Sequence, residues 1–526
     1  MKIAIAQLNY TIGDVEANAA KIIESVNKAK AAHADLVIFA EQALSGIPAF
    51  DLLRKSTFLE LCEEALTRIA GHCFGITAIV GSPVLTTEGT ISAAAILQEG
   101  RIQRYVGKKH ITARREMGFL VPSRGYETIN VNGHRCAVIV GSDLKYEHDF
   151  DHSVETILSI NARRYGKGAL SYRYELMRQL AYVGGKNIVL VNQVGGSTDL
   201  VYDGTSGALN SRGELLLMMK QFEEDFQVLD INAPAVPVVA PSSHEARTRM
   251  LYQAACLGVR DFFHKNGYTK ACVGLSGGID SAIVAVIAAE ALGRENVRAL
   301  LMPSPFSSDN SVEDARELAE RLGIAYDVIP ITDIYESVVD TLKPIIGGTE
   351  FDATEENIQT RIRTVLLMAL QNKTGYVLLN SSNKSENALG LCTLYGDTAG
   401  AFSPTGDLYK SEIYDLARYI NRTQQNVIPD RILDKAPSSE LHPGQKDTDI
   451  LPPYEVVDAI LYRMIEEGQH REEIINAGFD AEVVEKIHNM IMHNEKKRFQ
   501  FPPVLRLSMC SFGHERLMPL TNKYGD

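Results

Sequence analysis

Residues 274–281 read Gly-Leu-Ser-Gly-Gly-Ile-Asp-Ser, with a strand-like apolar run before them and a helix-like stretch after them. Gly277 and Gly278 let the backbone turn sharply and bring its N–H groups close to an anion. The following helix aims the positive end of its dipole at the same spot, so the run predicts an anion site. Asp280 falls in the first helical turn, where a carboxylate is favoured and can hold a Mg2+ ion that bridges phosphate oxygens. A tight turn with Asp280 as a plain helix cap accounts for the same residues. A third reading takes Gly274-Leu275-Ser276-Gly277-Gly278 as G-x-S-x-G, the elbow of the serine hydrolases, with Ser276 as nucleophile and His442 or His514 as its partner. That reading leaves Asp280 and Ser281 without a role. The loop lacks G-x-x-x-x-G-K-[ST] spacing, which disfavours a standard P-loop.

A loop of this kind must be held between a strand and a helix. The pattern predicts a strand at 271–275, a helix at 281–292 and a second strand at 299–302, a crossover unit of a parallel sheet, preceded by a helix at 245–265. The first half of the chain alternates β-rich runs at 35–40 and 76–80 with a helix-like stretch at 18–32. Residues 232–244, Asn-Ala-Pro-Ala-Val-Pro-Val-Val-Ala-Pro-Ser-Ser-His, suit neither a helix nor a central strand. They mark a boundary, giving domains at 1–235 and 247–526 with a linker at 236–246. The chain length of 526 residues, beyond the reach of one core, calls for such a division.

Bulk properties narrow the class. A formal net charge of −13 argues against a nucleic-acid or anionic-membrane binder, whose surface must be electropositive. Met1 leads directly into the strand-like Lys2-Ile3-Ala4-Ile5-Ala6-Gln7, and the sequence holds neither a secretory pattern nor an apolar run of membrane length. The seven cysteines are scattered without CxxC spacing, as in a reduced, cytoplasmic enzyme.

Further motifs extend the case. The loop Ser276-Gly277-Gly278-Ile279-Asp280-Ser281 resembles the pyrophosphate loop of the N-type ATP pyrophosphatases, which cleave ATP between its α- and β-phosphates. Five later runs are similar, in order, to the signatures of the NAD synthetase family: 354–363 (Thr-Glu-Glu-Asn-Ile-Gln-Thr-Arg-Ile-Arg), 383–386 (Asn-Lys-Ser-Glu), 393–397 (Thr-Leu-Tyr-Gly-Asp), 437–447 (Pro-Ser-Ser-Glu-Leu-His-Pro-Gly-Gln-Lys-Asp) and 494–498 (Asn-Glu-Lys-Lys-Arg). The resemblance implies a doubly wound α/β domain that amidates nicotinic acid adenine dinucleotide to NAD. The substrate carboxylate attacks the α-phosphorus of ATP, pyrophosphate leaves, and ammonia displaces AMP. By position, residues 276–281 hold the pyrophosphate, and Asp280 with Glu386 ligates Mg2+. Arg361, Arg363, Ser381, Lys410, Ser438 and Lys497 fall among the nucleotide contacts, Lys410 at the transferring phosphorus. Asp397 falls on the ammonia side. The family also implies a homo-oligomer.

Residues 1–235 resemble the nitrilase-like amidase domain, an α-β-β-α sandwich, that releases ammonia from glutamine in the glutamine-dependent members. The resemblance rests on Phe39-Ala40-Glu41, Tyr105-Val106-Gly107-Lys108-Lys109-His110, Val191-Asn192-Gln193-Val194-Gly195-Gly196 and Gln221-Phe222-Glu223-Glu224-Asp225. Such a site needs a glutamate base, an oxyanion-stabilising lysine and a cysteine nucleophile. Glu41 and Lys108 stand in the first two places, but Gly141-Ser142-Asp143 stands where the family has Cys-Glu-Asp, and Arg163-Arg164 where it has small residues and proline. Cys136 lies about 16 Å up the same strand at ~3.3 Å per residue. Ser142 is a weak alternative, an alcohol one residue out of phase. The expectation is a synthetase fed by free ammonia or by a separate ammonia-supplying protein. A fully glutamine-dependent enzyme with an unconventional amidase site is the alternative.

Overall fold

Strand Lys2–Gln7 alternates isoleucine and alanine, so one face carries Ile3 and Ile5 and the other Ala4 and Ala6, all buried. Burial on both faces is what a sheet inside a layered sandwich requires. In the computed structural model, which describes residues 1–526 apart from 148, 238–242, 349, 446 and 524–526, the chain divides at Pro241 and Ser242 into two compact units.

In the first unit, among the described residues, the strands form two six-stranded sheets and a two-stranded ribbon of Val194–Ser197 with Leu200–Asp203. In one, Lys2–Gln7 pairs antiparallel with Asp225–Asp230 and parallel with Leu36–Ile38, followed by Thr77–Thr86, Gly89–Gln98 and Arg101–Gly107. In the other, the parallel strands His134–Val140, Thr156–Asn161 and Asn187–Asn192 form the centre. Ile3, Ile5, Leu36 and Ile79 from the first sheet meet Val138, Leu158 and Val189 from the second in one core. The outer face of the first sheet is covered by helices Val15–Ala31 and Ser56–Ala70, and that of the second by Ala169–Gly184. This is the α-β-β-α sandwich expected from the sequence.

In the second unit a parallel sheet runs Ala325–Val328, Val297–Leu301, Ala271–Gly274, Val377–Leu378. The crossover helix Ile279–Leu292 starts two residues earlier than its sequence pattern indicates, because Gly278 is the N-cap. It is apolar nearly all round, and its buried residues include Ile283, Val284, Ala285, Val286 and Ile287, as befits a helix enclosed between a sheet and neighbouring helices. The chain order reverses beside Ala271–Gly274: Val297–Leu301 and Ala325–Val328 lie to one side of it and the later strand Val377–Leu378 to the other. Ligands bind at such a switch point, beyond the carboxyl ends of the strands. Among the described residues, no helix is long and apolar enough to cross a membrane. The 236–246 linker and the 437–447 motif fall partly on residues 238–242 and 446, outside the described residues.

Candidate active site

The loop that follows strand Ala271–Gly274 is shaped by Gly277. Its φ of +80° is left-handed, and a Cβ there would sit 2.2 Å from the Ser311 carbonyl oxygen, so glycine alone fits. Ser276 and Ser281 lock the turn. Ser281 Oγ accepts from the Ser276 N–H at 3.2 Å and donates to Gly278 O at 3.0 Å, and Ser276 Oγ accepts from the Gly278 N–H at 3.2 Å. The start of a fourteen-residue helix therefore faces a pocket of about 290 Å3.

Ser276, Gly278, Ile279, Asp280, Ser281, Arg363, Ser381, Glu386, Asp397, Lys410 and Ser438 line that pocket. Four loops and four helices widely separated in sequence thus bring most of the expected residues together. Gly277 stands behind the lining, against Ser311. Arg361 and Lys497 are placed elsewhere. Arg361 Nε donates to Leu394 O at 3.2 Å, and Lys497 Nζ to Gly390 O and Cys392 O at 2.6 and 2.8 Å.

At the centre, Lys410 Nζ lies 2.5 Å from Asp280 Oδ2 and 3.4 Å from Glu386 Oε1. Lys410 is the first residue of helix Lys410–Thr423, and its own N–H donates to Ser385 Oγ at 2.9 Å. Burial alone would discharge the ammonium, but Asp280 and Glu386 outweigh it, so the lysine pKa is raised and the charge is kept. Asn383 Nδ2 donates to Asp280 Oδ1 at 2.8 Å and fixes that carboxylate. Burial, and then the negative charge of Asp280, push the Glu386 carboxyl up to about 8. A carboxyl held this far up by burial and by the neighbouring Asp280 is one that a divalent cation would return to its charged form, so the pair of acids fits such an ion. Among the described residues no group of three or more His, Cys, Asp or Glu could hold a metal ion alone; Asp280 and Glu386 are the two acids of this pocket that would hold one.

Arg363 crosses the pocket wall, where its Nε donates to Met302 O at 3.0 Å. Asp397 keeps surface open to solvent, yet the protein packed around it pushes its carboxyl up to about 6. That shift prevails over the Thr393 N–H, 2.6 Å from Asp397 Oδ1, and over the charges of Lys497 and Arg363. The serine-hydrolase reading of Ser276 finds no base. Among the described residues no histidine lines the pocket, and His442 faces Glu356 at 3.7 Å and Pro443 O at 3.3 Å.

Asn383, Ser385 and Asp458 had no role assigned from sequence. Ser385 Oγ donates to Asp458 Oδ1 at 2.5 Å, and Asp458 Oδ2 accepts from the Ser411 N–H at 2.8 Å, so Asp458 ties the Glu386 helix to the Lys410 helix. Asn383 opens the Asn-Lys-Ser-Glu run and was within reach of inspection. Asp458 lies in the ordinary amphipathic helix Tyr454–Ile465 and gave no signal.

In the first unit, Glu41 and Lys108 do meet. Lys108 Nζ is 3.0 Å from Glu41 Oε1 and 2.7 and 2.9 Å from the two oxygens of Glu116, and Ser92 Oγ donates to Glu41 Oε1 at 3.1 Å. The three side chains are only 3–4% exposed. The third member, Glu116, went unassigned in the sequence. Residue 141 follows strand His134–Val140 with φ +57°, and a Cβ there would lie 2.4 Å from Glu41 Oε2. Glu41 thus occupies the volume a nucleophile at 141 would need. Ser142 Oγ donates to His110 O at 2.6 Å, and Cys136 is buried between the sheets with its thiol pushed up to about 12, so neither replaces the missing group. Arg163 is engaged with Asn161 Oδ1 at 3.1 Å, and burial pulls its guanidinium down to about 10.

Comparison with known proteins agrees with both units. The family model described as NAD synthase matches residues 251–501, and that described as carbon-nitrogen hydrolase matches residues 2–237. The glutamine-dependent NAD(+) synthetase of Acinetobacter baylyi is 37% identical over 532 residues, covering 99% of this chain and 98% of its own. That of Thermotoga maritima is 36% identical over 570 residues, covering 100% and 99%. The solved structure of the Acinetobacter baumannii glutamine-dependent NAD+ synthetase in complex with ADP superimposes with a TM-score of 0.76 at 34% identity, covering 99% of this chain and 98% of that one. The Cytophaga hutchinsonii structure, at 19% identity and TM-score 0.87 with the same coverage, shares the fold.

Proposed function

This chain belongs to the family of glutamine-dependent NAD(+) synthetases, and on that premise we propose that it makes NAD from nicotinic acid adenine dinucleotide and ATP, with ammonia as the nitrogen donor. The observation that carries the reading is the Asp280–Lys410–Glu386 trio, open to a pocket beside a phosphate-shaped loop, set against a Glu41–Lys108–Glu116 trio that is closed and has Gly141 in place of a nucleophile.

The substrate carboxylate attacks the α-phosphorus of ATP, the bond to the bridging oxygen breaks, and pyrophosphate leaves with the electron pair. Residues 276–281 receive that anion with their backbone and helix dipole. Asp280 and Glu386 would hold a Mg2+ ion, which would supply charge neutralisation at the phosphate oxygens. Lys410 directs its ammonium at the transferring phosphorus, and Arg363, Ser381 and Ser438 orient the nucleotide along the pocket wall. Ammonia then adds to the acyl carbon of the adenylate, and the C–O bond to AMP breaks. Asp397 holds the incoming ammonium and takes its proton. Arg361 and Lys497 lie outside the lining, and Lys497 supports loop carbonyls rather than the nucleotide. The protein acts in the cytoplasm as a homo-oligomer, on small molecules alone or with an ammonia-supplying partner.

The test compares ammonium and glutamine as donors with purified enzyme, ATP and the dinucleotide, following NAD, AMP and pyrophosphate. Ammonium is expected to support stoichiometric release of all three, and glutamine little turnover. Robust glutamine-driven NAD formation free of contaminating glutaminase refutes the donor assignment.

A further inference from the structure

Helix Lys384–Leu389 carries Glu386 into the pocket and, through its cap Asn383, fixes Asp280, yet it is only six residues long. A helix of that length is not stable alone, and its final carbonyls need partners from outside. One later stretch supplies them. Arg498 Nη1 donates to Asn387 O at 3.1 Å and Ala388 O at 2.8 Å, and Asn494 Nδ2 donates to Leu389 O at 2.9 Å. Lys497 adds its bonds to the two carbonyls just beyond the helix.

The front of the helix is held from the same direction. Lys384 is fully buried and absent from the pocket lining. Its ammonium lies 3.0 Å from Asp407 Oδ1, donates to Ser508 Oγ at 2.7 Å and Cys510 O at 2.9 Å, and pairs with Glu466. Asp407 in turn accepts from the N–H groups of Leu507 and Ser508 at 2.9 and 2.7 Å, and from the hydroxyls of Ser508 and Ser511 at 2.9 and 2.7 Å. Such a saturated network is rigid, and removing one member disturbs the rest.

We infer that residues 494–511 are a clamp that positions Asn383 and Glu386 for adenylation, acting through Arg498 at the end of the helix and Lys384 at its start; the inference rests on the adenylation reading of this pocket. None of these clamp residues lines the pocket. They are positioning residues, and their effect reaches the reaction only through the placement of Glu386 and Asp280.

The test uses full-length Ser511→Ala, Arg498→Met and Lys384→Met beside the wild type. Three quantities are read: Mn2+ binding by electron paramagnetic resonance with a non-cleavable α,β-methylene ATP analogue, ammonia-driven kcat and KM, and thermal unfolding. Ser511→Ala, which removes one bond to Asp407, is expected to lower kcat and weaken Mn2+ binding by a similar factor of about 3–10, with KM for the dinucleotide within about twofold. The two larger changes are expected to approach the ~100-fold loss that an ångström of misplacement produces. Folded variants that melt earlier but keep wild-type kcat and Mn2+ affinity overturn the inference, as does a loss of kcat without a change in Mn2+ binding. If Lys384→Met does not fold, Ser511→Ala decides. A wild-type enzyme that makes no NAD refutes the functional reading instead, while the ratio of Mn2+ affinities still tests the clamp.

Discussion

Lys108 in one unit and Lys410 in the other each stand between two carboxylates, and these two trios have opposite fates. Lys108 is enclosed by Glu41 and Glu116, all three nearly free of solvent, and its three donors are spent on the two acids. Lys410 is equally buried, but Asp280 and Glu386 keep 17% and 23% of their side-chain surface exposed, toward a pocket. An ion trio is therefore no mark of catalysis by itself. What separates a working site from a structural one is whether the charges are left with oxygens to offer a ligand, and whether a reacting group stands beside them.

The largest expected effect tests the open trio. Lys410→Met should lower ammonia-driven kcat/KM by about a thousandfold or more, since it removes the cation at the transferring phosphorus. Lys108→Met should leave that rate unchanged, and comparable losses from the two lysines would erase the distinction.

The closed trio should answer in stability instead. Lys108→Met strands two buried acids, at about 3–5 kcal/mol by the usual cost of breaking a buried pair, measurable by denaturant unfolding. Burial and then Glu41 already hold the Glu116 carboxyl above its ordinary range, so the variant should regain stability in acid, where Glu116 becomes protonated.

A pH profile probes the open site more finely. Asp397, raised to about 6, is ionised above that pH and protonated below it, so kcat/KM corrected for free ammonia should fall about tenfold per pH unit below 6. Asp397→Asn should lower the plateau and abolish that limb. A limb that persists in the variant assigns the titration elsewhere.

The smallest effect concerns Gly141. Gly141→Cys should destabilise by about 1–3 kcal/mol, because a side chain at positive φ is strained and Glu41 must move from its 2.4 Å approach. It should restore no glutaminase activity. Recovery of glutamine-driven turnover by this one change would show that the closed trio is still poised for amide hydrolysis.

Much of this contrast was legible in the sequence, because it depends on local signals. Gly277, Gly278 and Asp280 announce an anion site through backbone freedom and helix polarity, and Gly141 announces the lost nucleophile by having no side chain at all. The two-sheet sandwich and the parallel sheet followed from apolar runs of strand length alternating with helical periods. What stayed hidden depends on distance along the chain. Glu116, Asp458 and Asp407 are ordinary acids until the fold places a buried lysine or serine against them. Lys497 shows the same dependence: as a cation in a motif it suits a phosphate, while the folded chain sets it against the carbonyls of Gly390 and Cys392. Even the start of helix Ile279–Leu292 shifted by two residues, since a glycine N-cap leaves no side-chain signature.

The reach of Arg498 back to Asn387 spans 111 residues of chain, and this bears on the order of synthesis. While the protein is being translated, the phosphate loop leaves the ribosome well before the groups that hold the Glu386 helix in place. At about 5–20 residues per second the 111 residues from Asn387 to Arg498 take roughly 6–20 seconds. During that interval a nascent chain can shape its nucleotide pocket but lacks a fixed acid opposite Lys410. The acid opposite Lys410 is therefore among the last parts of the pocket that the growing chain can fix.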